Sequence, residues 1–113
     1  MPSGSPLAAD LQVTVDDGAG NRSVFTLRCQ PPTGTHPDPA AGCAGLAAAG
    51  LPAFAPTDPG VACTELYGGP ETATVTGTVA GQRVDATFSR TDGCEIARWD
   101  ALAPVLAGVG GPR

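Results

Sequence analysis

Four side chains in this 113-residue chain are cysteines, Cys29, Cys43, Cys63 and Cys94, with 13, 19 and 30 residues between successive members. An even number of thiols in a short chain reads as two disulfides of a secreted domain. Zinc would need a close Cys-x-x-Cys pair or a Cys/His set, and the chain has no such pair and one histidine, His36. That histidine would also have to serve any nucleophilic hydrolase. It stands in Gly34-Thr35-His36-Pro37 with no serine motif nearby, so it reads as a loop histidine bonded to its neighbours. Carboxylate pairs for glycoside chemistry fare no better. Asp16-Asp17 lies in a turn and Glu65 in an exposed stretch, neither with the apolar pocket that raises a carboxyl pKa. The run from Asp16 to Asn21 lacks the ligand spacing and closing glutamate of a calcium loop and reads as a hairpin turn. The residues therefore describe a chain that is not an enzyme and needs neither metal nor cofactor.

One segment suits recognition by a partner. Val61, Ala62, Cys63, Thr64, Glu65, Leu66 and Tyr67 have no amphipathic period, follow Pro59-Gly60, and lead into Gly68-Gly69-Pro70. This is an exposed loop with a cysteine at its centre. A disulfide there would hold the neighbouring residues extended, and ordering a loop before binding removes much of the entropic cost of association. Taken alone, the segment reads first as a loop that a disulfide merely stabilises. Four cysteines permit three pairings.

The surrounding elements must hold that loop. Leu11, Val13 and Val15 alternate with Gln12 and Thr14 as in a half-buried strand, and Phe25, Leu27 and Cys29 share one face of a second strand over 23–29. Residues 30–39 hold four prolines and form a loop. A helix over 40–49 follows, with Asp38-Pro39 as cap and first turn and Gly50 as its stop. Residues 51–60 are Pro-rich and irregular. Residues 72–79 and 82–89 form the clearest hairpin, about Ala80-Gly81, with Val84, Ala86 and Phe88 facing one side. Residues 95–107 are moderately helical, with Ile96, Trp99 and Leu102 at spacing three and Pro104 as a limit. Trp99 reads as core. Grouped strands with an inserted helix make an α+β fold with an antiparallel sheet. One domain spans 10–107, between a loose N-terminal segment, 1–9, and a tail, 108–113.

The formal net charge is −5, with six arginines and no lysine. No basic stripe offers itself to nucleic acid, and no apolar run approaches the ~20 residues of a membrane span. No signal peptide is visible, and Met1-Pro2-Ser3-Gly4-Ser5 reads as the start of a mature chain, so secretion to the extracellular space is inferred from the cysteines.

Four blocks, in order, carry a resemblance. They are Phe25-Thr26-Leu27-Arg28-Cys29 with Gly34-Thr35-His36-Pro37; Ala41-Gly42-Cys43-Ala44-Gly45-Leu46; Cys63-Thr64-Glu65-Leu66-Tyr67; and Thr87-Phe88-Ser89 with Cys94-Glu95. Over residues 11 to 95 the chain resembles the Streptomyces subtilisin inhibitor family of secreted serine protease inhibitors. The resemblance implies disulfides Cys29–Cys43 and Cys63–Cys94, and an antiparallel sheet of about five strands with two helices packed on one side. It also implies a homodimer formed through the sheet face away from the reactive loops. The third block would be the reactive site. Glu65 fills a serine endopeptidase's primary pocket, Glu65–Leu66 is the scissile bond, and Val61, Ala62, Cys63, Thr64 and Tyr67 make up the contacting loop. A subtilisin-like or glutamyl-specific enzyme is the implied partner. The alternative is a non-inhibitory secreted binding module on the same scaffold.

Three departures stand out. Typical members carry methionine or lysine where this chain has Glu65. The segment Ser89-Arg90-Thr91-Asp92-Gly93-Cys94 is longer than the family's, and Arg90 stands nearest the place of an asparagine that supports the reactive loop. Residues 96–113 lack the aromatic-rich final strand.

Overall fold

The computed structural model describes residues 8–58 and 60–106. Strand β1 (Ala9–Asp16) pairs antiparallel with β2 (Arg22–Cys29) on one side and β3 (Thr72–Val79) on the other, and β3 pairs with β4 (Gln82–Ser89). The order across the sheet is β2-β1-β3-β4. The alternation in each strand sets which face is buried: Leu11, Val13, Val15, Val75 and Phe88 are at most 2% exposed. Between β2 and β3 come helix α1 (Pro39–Ala49), a 3-10 turn (Leu51–Phe54) and the long loop; α2 (Gly93–Ala101) follows β4. The helix α1 rests on β2, and α2 and the 3-10 turn rest on β4. They cover the apolar face with Leu46, Phe54 and Trp99, joined by Leu102 and Leu106 from the turn after α2, each contributing about 1.5–3 kcal/mol by leaving water.

Both turns follow from local chemistry. Ala80 (φ 51°) and Gly81 (φ 79°) form the two-residue connection of β3 and β4 with both φ positive, as a tight hairpin requires. In the β1–β2 turn the Asp17 carboxylate accepts from the amides of Ala19 (2.7 Å) and Asn21 (3.1 Å) and from Asn21 Nδ2 (2.7 Å). These bonds, the Asn21 side chain's first, hold the Asp17 carboxyl below its ordinary range. The run compared with a calcium loop thus turns this carboxylate onto its own hairpin.

Two features differ from the sequence-based expectation. Among the described residues the sheet has four strands, not about five. The chain after β4 turns at once into α2, because the Asp92 side chain caps the helix by accepting from the Glu95 amide at 2.9 Å. The helix begins at Gly93 and ends at Ala101, short of the expected 95–107. Its last turn tightens, with the Leu102 amide reaching the Trp99 carbonyl at 3.1 Å, because Pro104 ahead lacks an N–H and disfavours helical backbone before it. Residues 102–106 are a turn; residue 107 and the tail expected from 108 lie outside the described residues, as do residues 1–7. Strand β1 takes in Ala9, one residue inside the stretch expected to be loose.

His36 ties this closing turn to the first loop. Its Nδ1 accepts from the Asp38 amide at 2.9 Å, so the hydrogen sits on Nε2, which faces the carbonyls of Pro104 and Val105 at 3.0 Å each. The ring is 5% exposed and packs edge-on to Phe25. This is a structural histidine, as its setting among prolines suggested. Replacing it by alanine leaves the buried Val105 carbonyl and the partly buried Pro104 carbonyl and Asp38 amide without this partner. His36→Ala is expected to lose about 3 kcal/mol of stability in denaturant unfolding. A loss below about 1 kcal/mol would contradict this role.

Candidate functional site

Both disulfides form as Cys29–Cys43 and Cys63–Cys94, with Cα separations of 5.6 and 5.3 Å. The first joins the end of β2 to α1 within the core. The second joins the long loop to the first turn of α2. Cys63, Asp92 and Cys94 come together there, but the two sulfurs are bonded to each other and neither is a thiolate.

Around that bridge the residues singled out from sequence fall on one exposed ridge. Val61, Ala62, Thr64, Glu65, Leu66 and Tyr67 are exposed and Cys63 is half-buried. Of the four large apolar side chains that stand exposed among the described residues, three are here: Val61 (53%), Leu66 (63%) and Tyr67 (66%). Exposed apolar side chains gathered on one loop mark an interaction site more than a packing defect.

The ridge is held at two points that bracket Glu65, Leu66 and Tyr67. Before them, the Gly93 amide donates to the Thr64 carbonyl at 2.9 Å. Gly93 sits so close that a Cβ would collide with Thr64 Oγ1, which explains the glycine at this helix start. After them, the Gly68 amide donates to the Arg90 carbonyl at 2.6 Å. Glu65, Leu66 and Tyr67 themselves make no backbone hydrogen bond to the described residues. Three exposed residues are thus displayed between two fixed points and beside a covalent bridge.

Sequence reasoning missed what holds the approach to this ridge. On α2, Arg98 donates from Nε to the Ala55 carbonyl (3.0 Å) and from Nη1 to the Thr87 carbonyl (3.1 Å). It pairs with Glu95 at 2.8 Å and lies over the Phe88 ring. Glu95 in turn accepts from Thr57 Oγ1 at 3.0 Å. The two side chains pin residues 55–57, just upstream of the loop, onto α2 and β4. The signal available in the sequence, a spacing of three on a helix, marks only a local ion pair. Arg90, expected nearest the place of a supporting asparagine, does reach the loop: its Nε faces the Gly68 carbonyl at 3.4 Å.

Residues 7–91 match the family described as subtilisin inhibitor-like. The chain is 39% identical over 89 residues to "Subtilisin inhibitor-like protein 1" of Streptomyces cacaoi, a match covering 75% of this chain and 79% of the relative. Its fold is similar to that of Streptomyces caespitosus sermetstatin, solved in complex with Bacillus licheniformis subtilisin. The TM-score is 0.50 and the identity 30%, over 91% of this chain and 99% of sermetstatin. The chain belongs to the subtilisin inhibitor-like family, whose members are inhibitors and not enzymes.

Proposed function

We propose that this protein is a substrate-like inhibitor of secreted serine endopeptidases that presents the Glu65–Leu66 bond to the enzyme. The observation that supports this most is the pair of anchors at Thr64 and Gly68. They leave three exposed residues between them, beside the Cys63–Cys94 bridge. Such a loop enters a protease cleft with little further loss of freedom. Attack by the enzyme's serine on the Glu65 carbonyl would give an acyl-enzyme and a free amine on Leu66. Because the loop is held on both sides of the bond, that amine stays near the ester at high effective concentration. It re-forms the peptide bond faster than water hydrolyses the ester.

In this reading Glu65 occupies the primary pocket, Thr64 and Cys63 precede it, and Tyr67 lies on the leaving-group side. Val61 and Ala62 extend the contact towards the standard total of about 1,600 Å². A carboxylate at Glu65 favours an enzyme with a broad pocket, such as a subtilisin, or with a basic one, such as a glutamyl endopeptidase, where it gains a charge-assisted contact. It opposes a trypsin-like pocket, whose own carboxylate repels it. The two disulfides suit secretion, and no helix among the described residues is long and apolar enough to cross a membrane. A homodimer through the outer sheet face, rich in threonine at Thr14, Thr74 and Thr76, completes the reading by family likeness.

Inhibition constants against subtilisin, trypsin and a glutamyl endopeptidase test it. Tight inhibition of subtilisin or of the glutamyl enzyme is expected, with trypsin weakest. Equal weakness against all three overturns the inhibitor reading. Rapid, complete cleavage at Glu65–Leu66 would instead mark a substrate loop on a binding module.

A further inference from the structure

Arg90 is one of two buried polar or charged residues among those described, at 5% exposure, and it lies just past the end of β4. A guanidinium out of water is costly unless paired, and its carboxylate partner, Asp100, is itself 44% exposed at 3.3 Å. What the position achieves lies at the loop. Arg90 meets Gly68 twice: its carbonyl accepts from the Gly68 amide at 2.6 Å, and its Nε faces the Gly68 carbonyl at 3.4 Å. The guanidinium is kept in place by Asp100 from one direction and by the Trp99 ring, 5.7 Å from its centre, from another. Trp99 is fully buried, so the platform under the guanidinium is packed into the core.

The two sides of Glu65–Leu66 are secured differently. The side that would carry the acyl group is held covalently, since Cys63 lies two residues before Glu65 and is bonded to Cys94. The leaving side has no disulfide before β3, and its hydrogen bonds among the described residues are the Gly68 amide's to the Arg90 carbonyl and the Arg90 Nε's to the Gly68 carbonyl. We infer that Arg90 is the positioning residue that retains the leaving strand after cleavage, and so sets whether the loop behaves as inhibitor or as substrate. This rests on the reading of Glu65–Leu66 as the scissile bond. In the resynthesis step the Leu66 amine attacks the Glu65 ester carbonyl, the C–N bond forms, and the enzyme serine Oγ leaves and takes up the proton the amine gives away. Arg90 touches no reacting atom; it fixes where that amine stands.

The test compares wild type with Arg90→Met, which keeps the apolar stem, and Arg90→Lys, which keeps a charge for Asp100 but loses the planar donor aimed at Gly68. Three quantities are read well below each variant's unfolding temperature. They are the rate of initial binding to subtilisin, the rate at which intact inhibitor becomes cleaved, and the ratio of intact to cleaved chain at equilibrium. Both variants are expected to bind within about threefold of wild type. They are expected to be cleaved about tenfold faster and to shift the ratio about tenfold towards cleaved chain, the change that one hydrogen bond to a charged group supports. Amide exchange of Gly68 should accelerate in parallel. Unchanged cleavage and an unchanged ratio, with Gly68 still protected, would overturn the inference, and a drop in melting temperature alone would show a purely structural role. If Arg90→Met does not fold, Arg90→Lys carries the same test. Absence of inhibition by the wild type defeats the proposed function instead, and Gly68 exchange still reports whether Arg90 holds the loop.

Discussion

Breaking the Cys63–Cys94 bridge is expected to convert the protein from an inhibitor into a substrate. The bridge closes a sequence separation of 31 residues, and removing such a link frees the unfolded chain by about 4 kcal/mol in the chain-entropy account. For a domain of this size that lowers the melting temperature by roughly 15 °C. The effect on function is separate from the effect on stability. Without the bridge the stretch between residues 55–57, held by Arg98 and Glu95, and Glu65 keeps only the Gly93-to-Thr64 bond as its tie to α2 among the described residues, and the acyl half can drift from the Leu66 amine after cleavage. A Cys63→Ser/Cys94→Ser double variant, assayed well below its unfolding temperature, is expected to be hydrolysed at Glu65–Leu66 at least about a hundredfold faster than wild type. The matched control is Cys29→Ser/Cys43→Ser. That bridge spans a separation of 14 residues, so its loss should cost about 3 kcal/mol. It lies away from the loop, so turnover should stay slow. If both variants inhibit alike, the role assigned to the second bridge is wrong.

Exchange of Glu65 is expected to redirect the inhibitor without disturbing its fold. Glu65 is exposed and has no hydrogen-bond or ion-pair partner among the described residues. Substitution there should change stability by no more than about 0.5 kcal/mol. In a protease pocket the same side chain is desolvated and faces whatever charge the enzyme provides. Glu65→Lys replaces repulsion by attraction in a trypsin-like pocket, and inhibition of trypsin is expected to strengthen about 10³-fold or more, or about 4 kcal/mol. Glu65→Met removes the cost of burying a carboxylate and should tighten binding to subtilisin while abolishing any preference for a glutamyl enzyme. Parallel inhibition constants for the three forms decide the matter. Profiles that do not move with the residue would remove Glu65 from the primary pocket and place the contact elsewhere on the ridge.

Several elements were legible because they depend on neighbours in the chain. The period-2 alternation of Leu11, Val13 and Val15 and of Val84, Ala86 and Phe88 marks strands and their buried face in any tertiary setting. Asp38-Pro39 starts α1 and Gly50 ends it through local hydrogen bonds and φ preferences. The final helix was harder to delimit. Its start depends on a cap from Asp92, and a run compatible with helix as far as residue 107 stops at Ala101, where Pro104 and the closing turn take over.

The exposed loop on which the function rests was visible from its composition, its glycine and proline boundaries and the cysteine within it. Its place in the chain and its side chains, Glu65 and Leu66 among them, belong to the sequence. The way it is held does not. Gly93 meets Thr64 across 29 positions, Arg90 meets Gly68 across 22, and Arg98 reaches Ala55 across 43. None of these pairs leaves a local pattern, because a hydrogen bond between distant segments is selected by how β4 and α2 pack beside the loop and not by residue spacing. Arg90 shows the difference most clearly. In sequence it is a departure from a family's supporting asparagine. In the fold it is a guanidinium buried between Trp99 and Asp100 and aimed at the loop's far side. Sequence alone marked the exposed loop and, through its resemblance to a family, the bond proposed as bait, since exposure and side-chain type are matters of local composition. Tertiary structure decided what grips it, since only packing brings the gripping residues within bonding distance.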